Sequence, residues 1–289
     1  MSPAEFDDWL RDERRRPLVM GVLNVTPDSF SDGGRFVEPA AAVARAGQMA
    51  AEGADLIDVG GESTRPGSLP VEPDEQIRRV VPVLRAARAS LAGVVTFSID
   101  TTRADVAAAA LDVGAHVVND VSAGRDDPGL LPLAARRECP LILMHMQGTP
   151  QTMQLNPTYS DVTAEVKSFL RDRSGAATGA GVDPRNILLD PGIGFGKTVG
   201  HNLELLRRLG ELTTLDRPLV VGTSRKGFIG KALGEQPGTA DSASRLFGTA
   251  ATIAWAVANG AGVVRVHDVG AMAQVVRMVR SIKSGGEGE

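Results

Sequence analysis

One cysteine, one tyrosine and two tryptophans in 289 residues leave little material for a disulfide scaffold or an aromatic-rich sheet. The lone Cys139 excludes an intrachain disulfide and fits a reducing compartment. Aromatic residues make up only 4%, and the alternating Thr- and aromatic-rich strands of a large β-sandwich are missing. No apolar run approaches the roughly 20 residues that span a bilayer. Met1–Arg16 alternates acids and bases without an apolar stretch, so no secretory leader is expected there. A dominant charge is lacking as well. The 31 basic and 35 acidic side chains give a formal charge of −4, which argues against a nucleic-acid binder working through a basic surface. The expectation is a cytoplasmic protein with neither nucleic acid nor membrane as partner.

What is present is glycine (33 residues) and a 43% hydrophobic content, ordinary for a globular chain. Short continuous apolar runs occur at Leu18–Leu23, Asp55–Val59, Val94–Ile99, His116–Val118, Leu141–Met144, Ile187–Leu189, Leu219–Val221 and Val263–Val266. Such runs suit parallel strands buried on both faces. Their starts lie about 35 residues apart, close to the length of one βα unit. Helical spacing appears between them, over Pro39–Ala51, Asp74–Leu91, Arg103–Val113, Gly129–Arg137, Asp161–Thr178, Asn202–Leu209, Ala240–Asn259 and Ala271–Ile282. Gly53, Gly114, Gly181 and Gly260 end helices just before the next strand, where a left-handed cap turns the chain back. Alternating strands and helices predict an α/β fold, a single (β/α)8 TIM barrel over residues 17–282. An open doubly wound sheet is the alternative, but no Gly-rich fingerprint follows the first strand. Residues 1–16 read as a polar N-terminal extension and 283–289 as a flexible tail.

In a barrel of this kind chemistry sits at the carboxyl ends of the strands. The first polar residues after the apolar runs are Asn24; Glu62, Thr64 and Arg65; Asp100; Asn119 and Asp120; His145; Asp190; Ser224, Arg225 and Lys226; Arg265 and His267. Any one of these could be a helix cap or a loop hydrogen bond. All eight strands delivering polar groups to one rim has no packing rationale. Asp100, Asn119 and Asp190 offer acceptors for a ring presenting adjacent N–H donors. Asn24, Thr64, Arg65, Arg265 and His267 suit a phosphate or pyrophosphate. Two long loops, Thr26–Glu38 and Gly61–Pro73, carry glycines and charges and are candidate lids.

Other motifs fail. Gly192-Ile-Gly-Phe-Gly-Lys-Thr198 approximates a P-loop, but Pro191 stands where the first glycine is required. Gly222-Thr-Ser-Arg-Lys-Gly227 misses the nucleophile elbow, because Lys226 occupies the second glycine position. His145, His267 and Asp100 lack any paired spacing for zinc. His116, His201 and Cys139 read as structural. Trp255 and Phe247 lie on an Ala-rich helix that packs in the core or against another subunit.

Met20-Gly-Val-Leu-Asn-Val-Thr-Pro-Asp-Ser-Phe-Ser-Asp-Gly-Gly34 and Asp58-Val-Gly-Gly-Glu-Ser-Thr-Arg-Pro-Gly67 closely resemble the two signature segments of the dihydropteroate synthase family. Ser98-Ile-Asp-Thr101, Val118-Asn-Asp-Val121, Met144-His-Met-Gln-Gly148, Leu189-Asp-Pro-Gly-Ile-Gly-Phe-Gly-Lys197, Ser224-Arg-Lys226 and Arg265-Val-His267 resemble its other motifs, in order, so the likeness spans residues 17–282. The resemblance implies a (β/α)8 barrel, usually homodimeric, that uses Mg2+. It joins 6-hydroxymethyl-7,8-dihydropterin diphosphate to p-aminobenzoate, giving 7,8-dihydropteroate and pyrophosphate in folate synthesis.

Carried over by motif, Asp100, Asn119, Met144, Asp190, Phe195, Gly222 and Lys226 form the pterin site. Asn24, Thr64, Arg65, Arg265 and His267 hold the diphosphate, with Asn24 on the metal. Phe30, Ser63, Arg65, Pro66, Ser224 and Lys226 shape the p-aminobenzoate site, where sulfonamides compete as inhibitors. The implied catalytic set is Asp32, Asp100, Asp190 and Lys226. Two other readings share the barrel, a pterin-binding methyltransferase domain and a non-catalytic pterin-binding paralogue. The loops 24–34 and 63–67, and the presence of Arg65, Lys226 and His267, favour the synthase.

Overall fold

Strands buried on both faces have two jobs to divide between alternate residues, and this chain divides them cleanly. The structure, a computed structural model, describes residues 1–26, 39–64, 67–235 and 244–285. Along the chain come α1 (Pro3–Arg11), β1 (Leu18–Asn24), α2 (Pro39–Glu52), β2 (Leu56–Gly60), α3 (Pro73–Leu91), β3 (Thr96–Asp100), α4 (Ala104–Asp112) and β4 (Val117–Asp120). They are followed by α5 (Leu130–Arg136), β5 (Leu141–Met144), α6 (Val162–Gly179), β6 (Ile187–Asp190), α7 (Val199–Arg207) and β7 (Leu219–Val221). The described chain ends with α8 (Gly227–Ala232), α9 (Leu246–Ala258), β8 (Ala261–Val266) and α10 (Val269–Lys283).

The strands pair in parallel and in sequence order, and β8 returns to β1, closing the barrel. Eight strands in a closed ring match the fold expected from the apolar runs. One set of alternate residues, including Ile57, Val59, Ile99, Val118, Leu143, Leu189, Val221 and Val264, joins the helices in the main apolar core. The other set points into the lumen. Its lower layer, Met20, Leu56, Val117, Ile142, Leu188, Val220 and Val263, forms a second buried cluster with Phe6, Trp9 and Leu10 of α1.

The segment read from its charges as a polar extension therefore seals the amino end of the barrel. Ser2 and Glu5 form a reciprocal cap around Pro3, which starts the helix. Phe6, Trp9 and Leu10 then fall on one face at helical spacing, and the charges occupy the other. Trp9 Nε1 donates to the Arg16 carbonyl at 2.7 Å, tying the helix to the approach of β1. His116 also lies at this end, as expected of a strand start, with Nε2 2.8 Å from Asp7.

Other boundaries differ. The short α8 was not expected, and α9 is described from Leu246 rather than from Ala240, which lies with 236–243 outside the described residues. Helix α7 begins at Val199, three residues before the expected start, because Thr198 and His201 form the cap. Of the tail expected to be flexible, 286–289 lie outside the described residues. No described helix is long and apolar enough to cross a membrane.

Candidate active site

Strand register carries the upper lumen layer directly. Asn24 pairs with Gly60, Gly60 with Asp100, and Asp100 with Asn119, so these four positions face the same side of the wall at one level. Met144 pairs with Asp190 on the opposite arc. Gly222 follows β7, Arg265 lies near the end of β8, and His267 just beyond it.

A cleft opens on this layer, concave and lined by convergent polar groups as small-molecule sites are. Asp100, Asn119, Met144, Asp190, Phe195, Gly222 and Lys226 line it together with Thr64, Ser224, Arg265, His267 and Val121. Only Val121 was not among the residues singled out from sequence. Ser63 lies half-buried beside Thr64, where its carbonyl accepts from Ser68 Oγ at 2.5 Å. Phe30, Asp32, Arg65 and Pro66 lie outside the described residues, as does most of the loop Thr26–Glu38. Of the second candidate lid, 61–64 and 67–73 are described, and the Gly67 amide donates to the Pro150 carbonyl at 3.0 Å.

Several rim residues from the sequence reading turn away from the cleft, and strand alternation explains two of them. Asp120 follows inward-facing Asn119, so it points out and accepts from the backbone amides of Ser122, at 2.7 Å, and Gly124. His145 follows Met144 and packs edge-on against Phe169. Glu62 bonds the Val71 amide and Gln76 beneath the second loop. Arg225 pairs with Asp268.

The cleft is electrostatically sorted. Asp100, Asn119 and Asp190 are buried carboxylate and amide groups. Burial pushes Asp100 up to about 7, with the Asp58 charge adding to the rise and Arg265 opposing it. Burial also raises Asp190, against the pull of Lys226 and a 2.6 Å bond from the Gly192 amide. Lys226 is pushed down to about 8 by burial, with Asp190 opposing. Its ammonium sits 4.5 Å from the Phe195 ring centroid and donates to the Ile193 carbonyl. Arg265 donates to Asp58 at 2.7 Å and to Asp100 at 2.9 Å. Burial lowers its pKa, but the two carboxylates outweigh that and hold it above its ordinary value. His267 Nδ1 lies 3.1 Å from Ser224 Oγ.

Sequence reasoning missed Asp58. This carboxylate is fully buried below the cleft, where one oxygen accepts from both Arg265 and Asn119 and the other has no hydrogen-bond partner among the described residues. A signal existed, since an aspartate in the middle of an apolar run must be paired when the strand is covered on both faces.

Acceptors gather on one arc of the cleft and cations on another. A family model described as pterin binding enzyme matches residues 20–267. A dihydropteroate synthase from Synechocystis is 47% identical, over 97% of this chain and 95% of the relative. The chain belongs to the dihydropteroate synthase family. It is an enzyme, a transferase of folate synthesis. Solved dihydropteroate synthases superpose on it closely. The enzyme of Xanthomonas albilineans with 4-aminobenzoic acid has a TM-score of 0.86 at 43% identity, covering 93% of this chain and 94% of that one. The Yersinia pestis enzyme in a sulfonamide drug complex has a TM-score of 0.86 at 41% identity, covering 93% and 95%.

Proposed function

We propose that this cleft binds both substrates of the dihydropteroate synthase reaction, 6-hydroxymethyl-7,8-dihydropterin diphosphate and p-aminobenzoate. The observation that carries the proposal is the meeting of buried acceptors and cations in a single cleft above a sealed barrel. Asp100, Asn119 and Asp190 accept from the N–H groups of the pterin. Met144 and Phe195 pack on its ring, Gly222 admits it close to the backbone, and Lys226 donates to a ring acceptor. Thr64, Arg265 and His267, with Asn24 and Arg65, take the diphosphate. Arg265 spends part of its guanidinium on Asp58 and Asp100 and has further N–H donors for an oxyanion.

The bond that breaks joins the exocyclic methylene of the pterin to its diphosphate, and the electron pair leaves with pyrophosphate. Positive charge then spreads into the ring, where the buried side chains of Asp100 and Asp190 stabilise it. The neutral amine of p-aminobenzoate bonds to the methylene and gives up its proton to the released pyrophosphate. An aniline nitrogen needs no strong base. Closure of loops 26–38 and 61–73, with Phe30, Asp32, Ser63, Arg65, Pro66 and Ser224 around p-aminobenzoate, keeps water from capturing the cation. Sulfonamides present the same aniline ring and are expected to compete there.

Mg2+ is the cofactor of this reading. Among the described residues no group of three His, Cys, Asp or Glu could hold a metal. Asn24, level with Asp100 in the strand register, would hold a hard cation through its amide oxygen beside the diphosphate. When bound, the ion neutralises charge growing on the leaving pyrophosphate.

The proposal includes a cytoplasmic homodimer. Phe247 and Trp255 of α9 and Met278 and Ile282 of α10 are exposed, and Trp255 borders an apolar groove with Leu203 and Leu206 of α7. Cys139 is buried, and burial pushes its thiol up to about 11, so it is inert in a reducing compartment.

The deciding assay follows pyrophosphate release. Sustained release should require p-aminobenzoate, and titration calorimetry should detect p-aminobenzoate binding only when pyrophosphate and Mg2+ are present. Release that continues unchanged without p-aminobenzoate, or binding indifferent to the anion, would sink the reading. If no pyrophosphate leaves before the amine arrives, direct displacement replaces the stepwise route.

A further inference from the structure

Behind the cleft wall lies an amine that the proposed chemistry does not use. Lys197 is 2% exposed and lines no part of the cleft. Its Nζ is 2.9 Å from His145 Nδ1, 2.9 Å from the Gly192 carbonyl and 2.9 Å from the Phe195 carbonyl. Among the described residues no carboxylate lies within ion-pair distance of it. Three acceptors at 2.9 Å face Nζ, neutral His145 through its Nδ1 lone pair, while burial pushes the amine well below the usual lysine range. Burial and the Lys197 charge hold His145 down to about 2, so it stays unprotonated in that role.

The loop that Lys197 holds is wound around it. Gly192 and Gly196 adopt φ of 63° and 59°, and a Cβ at Gly192 would lie 1.8 Å from the His145 carbonyl oxygen. That winding turns two carbonyls back toward Nζ and leaves three groups facing the cleft. The Gly192 amide donates to Asp190, the Ile193 carbonyl accepts from Lys226, and the Phe195 ring stands over the Lys226 ammonium. Two further ties come from the loop after β5. Gln154 donates to the Gly194 carbonyl at 2.7 Å, and Tyr159 to the Gly196 carbonyl at 2.7 Å.

We infer that Lys197 is a positioning residue for the ring end of the cleft, setting Asp190, Phe195 and Lys226 through the carbonyls of loop 192–196. The inference rests on the reading of that end as the pterin site. Lys197 acts through the loop and touches no substrate. It reaches one arc only, since Arg265 and His267 are carried by β8 and the turn after it.

The test is Lys197→Met, which keeps the length and removes the charge and the donors. Expected are a rise of about tenfold or more in KM for the pterin diphosphate and a fall in kcat. Inorganic pyrophosphate binding, measured by calorimetry, should stay within about twofold of wild type, and amide hydrogen exchange across 191–197 should quicken. A folded variant with unchanged KM, kcat and exchange overturns the inference, as does parallel loss of pyrophosphate binding, which marks general damage. If Lys197→Met does not fold, Tyr159→Phe decides. A rise of about threefold in pterin KM with faster loop exchange supports the inference, and wild-type values for both overturn it. A wild-type protein that binds no pterin diphosphate refutes the site assignment instead, and the exchange measurement still judges Lys197.

Discussion

The two ends of the barrel lumen are built by the same strands and carry opposite chemistry. At the amino end Leu56, Val117, Ile142, Leu188, Val220 and Val263 pack under Phe6 and Trp9 of α1. Two residues further along each strand stand Asp58, Asn119, Met144, Asp190, Gly222 and Arg265. A step of two residues is about 7 Å along a strand and returns to the same face. One pleat therefore separates a dry plug from a cluster of buried charges. The plug stabilises the fold, whereas Asp100 and Asp190 pay desolvation for their place in the cleft. That contrast states where stability and activity should part company.

Breaking the amino end should produce the largest loss of stability. Phe6 is fully buried, stacks on Trp9 and meets the His116 ring edge-on. Phe6→Ala should cost about 3–5 kcal/mol in urea unfolding. Under folding conditions its kcat/KM should match wild type, and a large kinetic defect would erase the distinction between the ends.

The converse change, Asp190→Asn, should lower kcat/KM by about 10²–10³, or about 2.7–4 kcal/mol, in the pyrophosphate assay. Its melting temperature should hold or rise, because a carboxylate whose burial opposes ionisation has been removed. A melt lowered in step with activity would count against a functional role.

Protons offer a finer probe. Asp100 is held up to about 7, against 3.8 for the free carboxyl. Between those values the folded state binds more protons than the unfolded one, so this group makes stability fall as pH rises from about 4 to about 7. Asp100→Asn should therefore gain on wild type across that range, by roughly 1–2 kcal/mol in all. The ideal of about 1.4 kcal/mol per unit is not reached, because Asp100 shares its buried site with the charges of Asp58 and Arg265. A constant difference across that range would mean that burial does not govern Asp100.

The smallest effect belongs to charge at the amino end. Arg16 pairs with Asp55 at 2.5 Å but is 39% exposed. Arg16→Ala should cost less than about 1 kcal/mol. A larger cost would mean that ion pairs, rather than the apolar plug, close that end.

Much of this was legible from residues alone. Leu18–Leu23 and Leu141–Met144 read as strands because covered strands carry unbroken apolar runs. Asp100 and Asp190 announced a rim because they follow such runs directly, and Arg265 because it stands near the end of one. Helix α1 was legible too, in the spacing of Phe6, Trp9 and Leu10 after Ser2 and Pro3, but its many charges masked that stripe. Asp120 and His145 stood beside true cleft residues, and composition alone does not say which of two neighbours faces inward.

Local pattern is a short-range property, so the sequence by itself determined the strands, the helices between them, the polar rim and the family signatures. Closure of β8 onto β1, the inward turn of Asn119 against the outward turn of Asp120, the pairing of Asp58 with Arg265 and the burial of Lys197 were decided by the tertiary structure. Each depends on groups far apart in the chain, whose mutual desolvation and hydrogen bonds exist only once the ring is assembled.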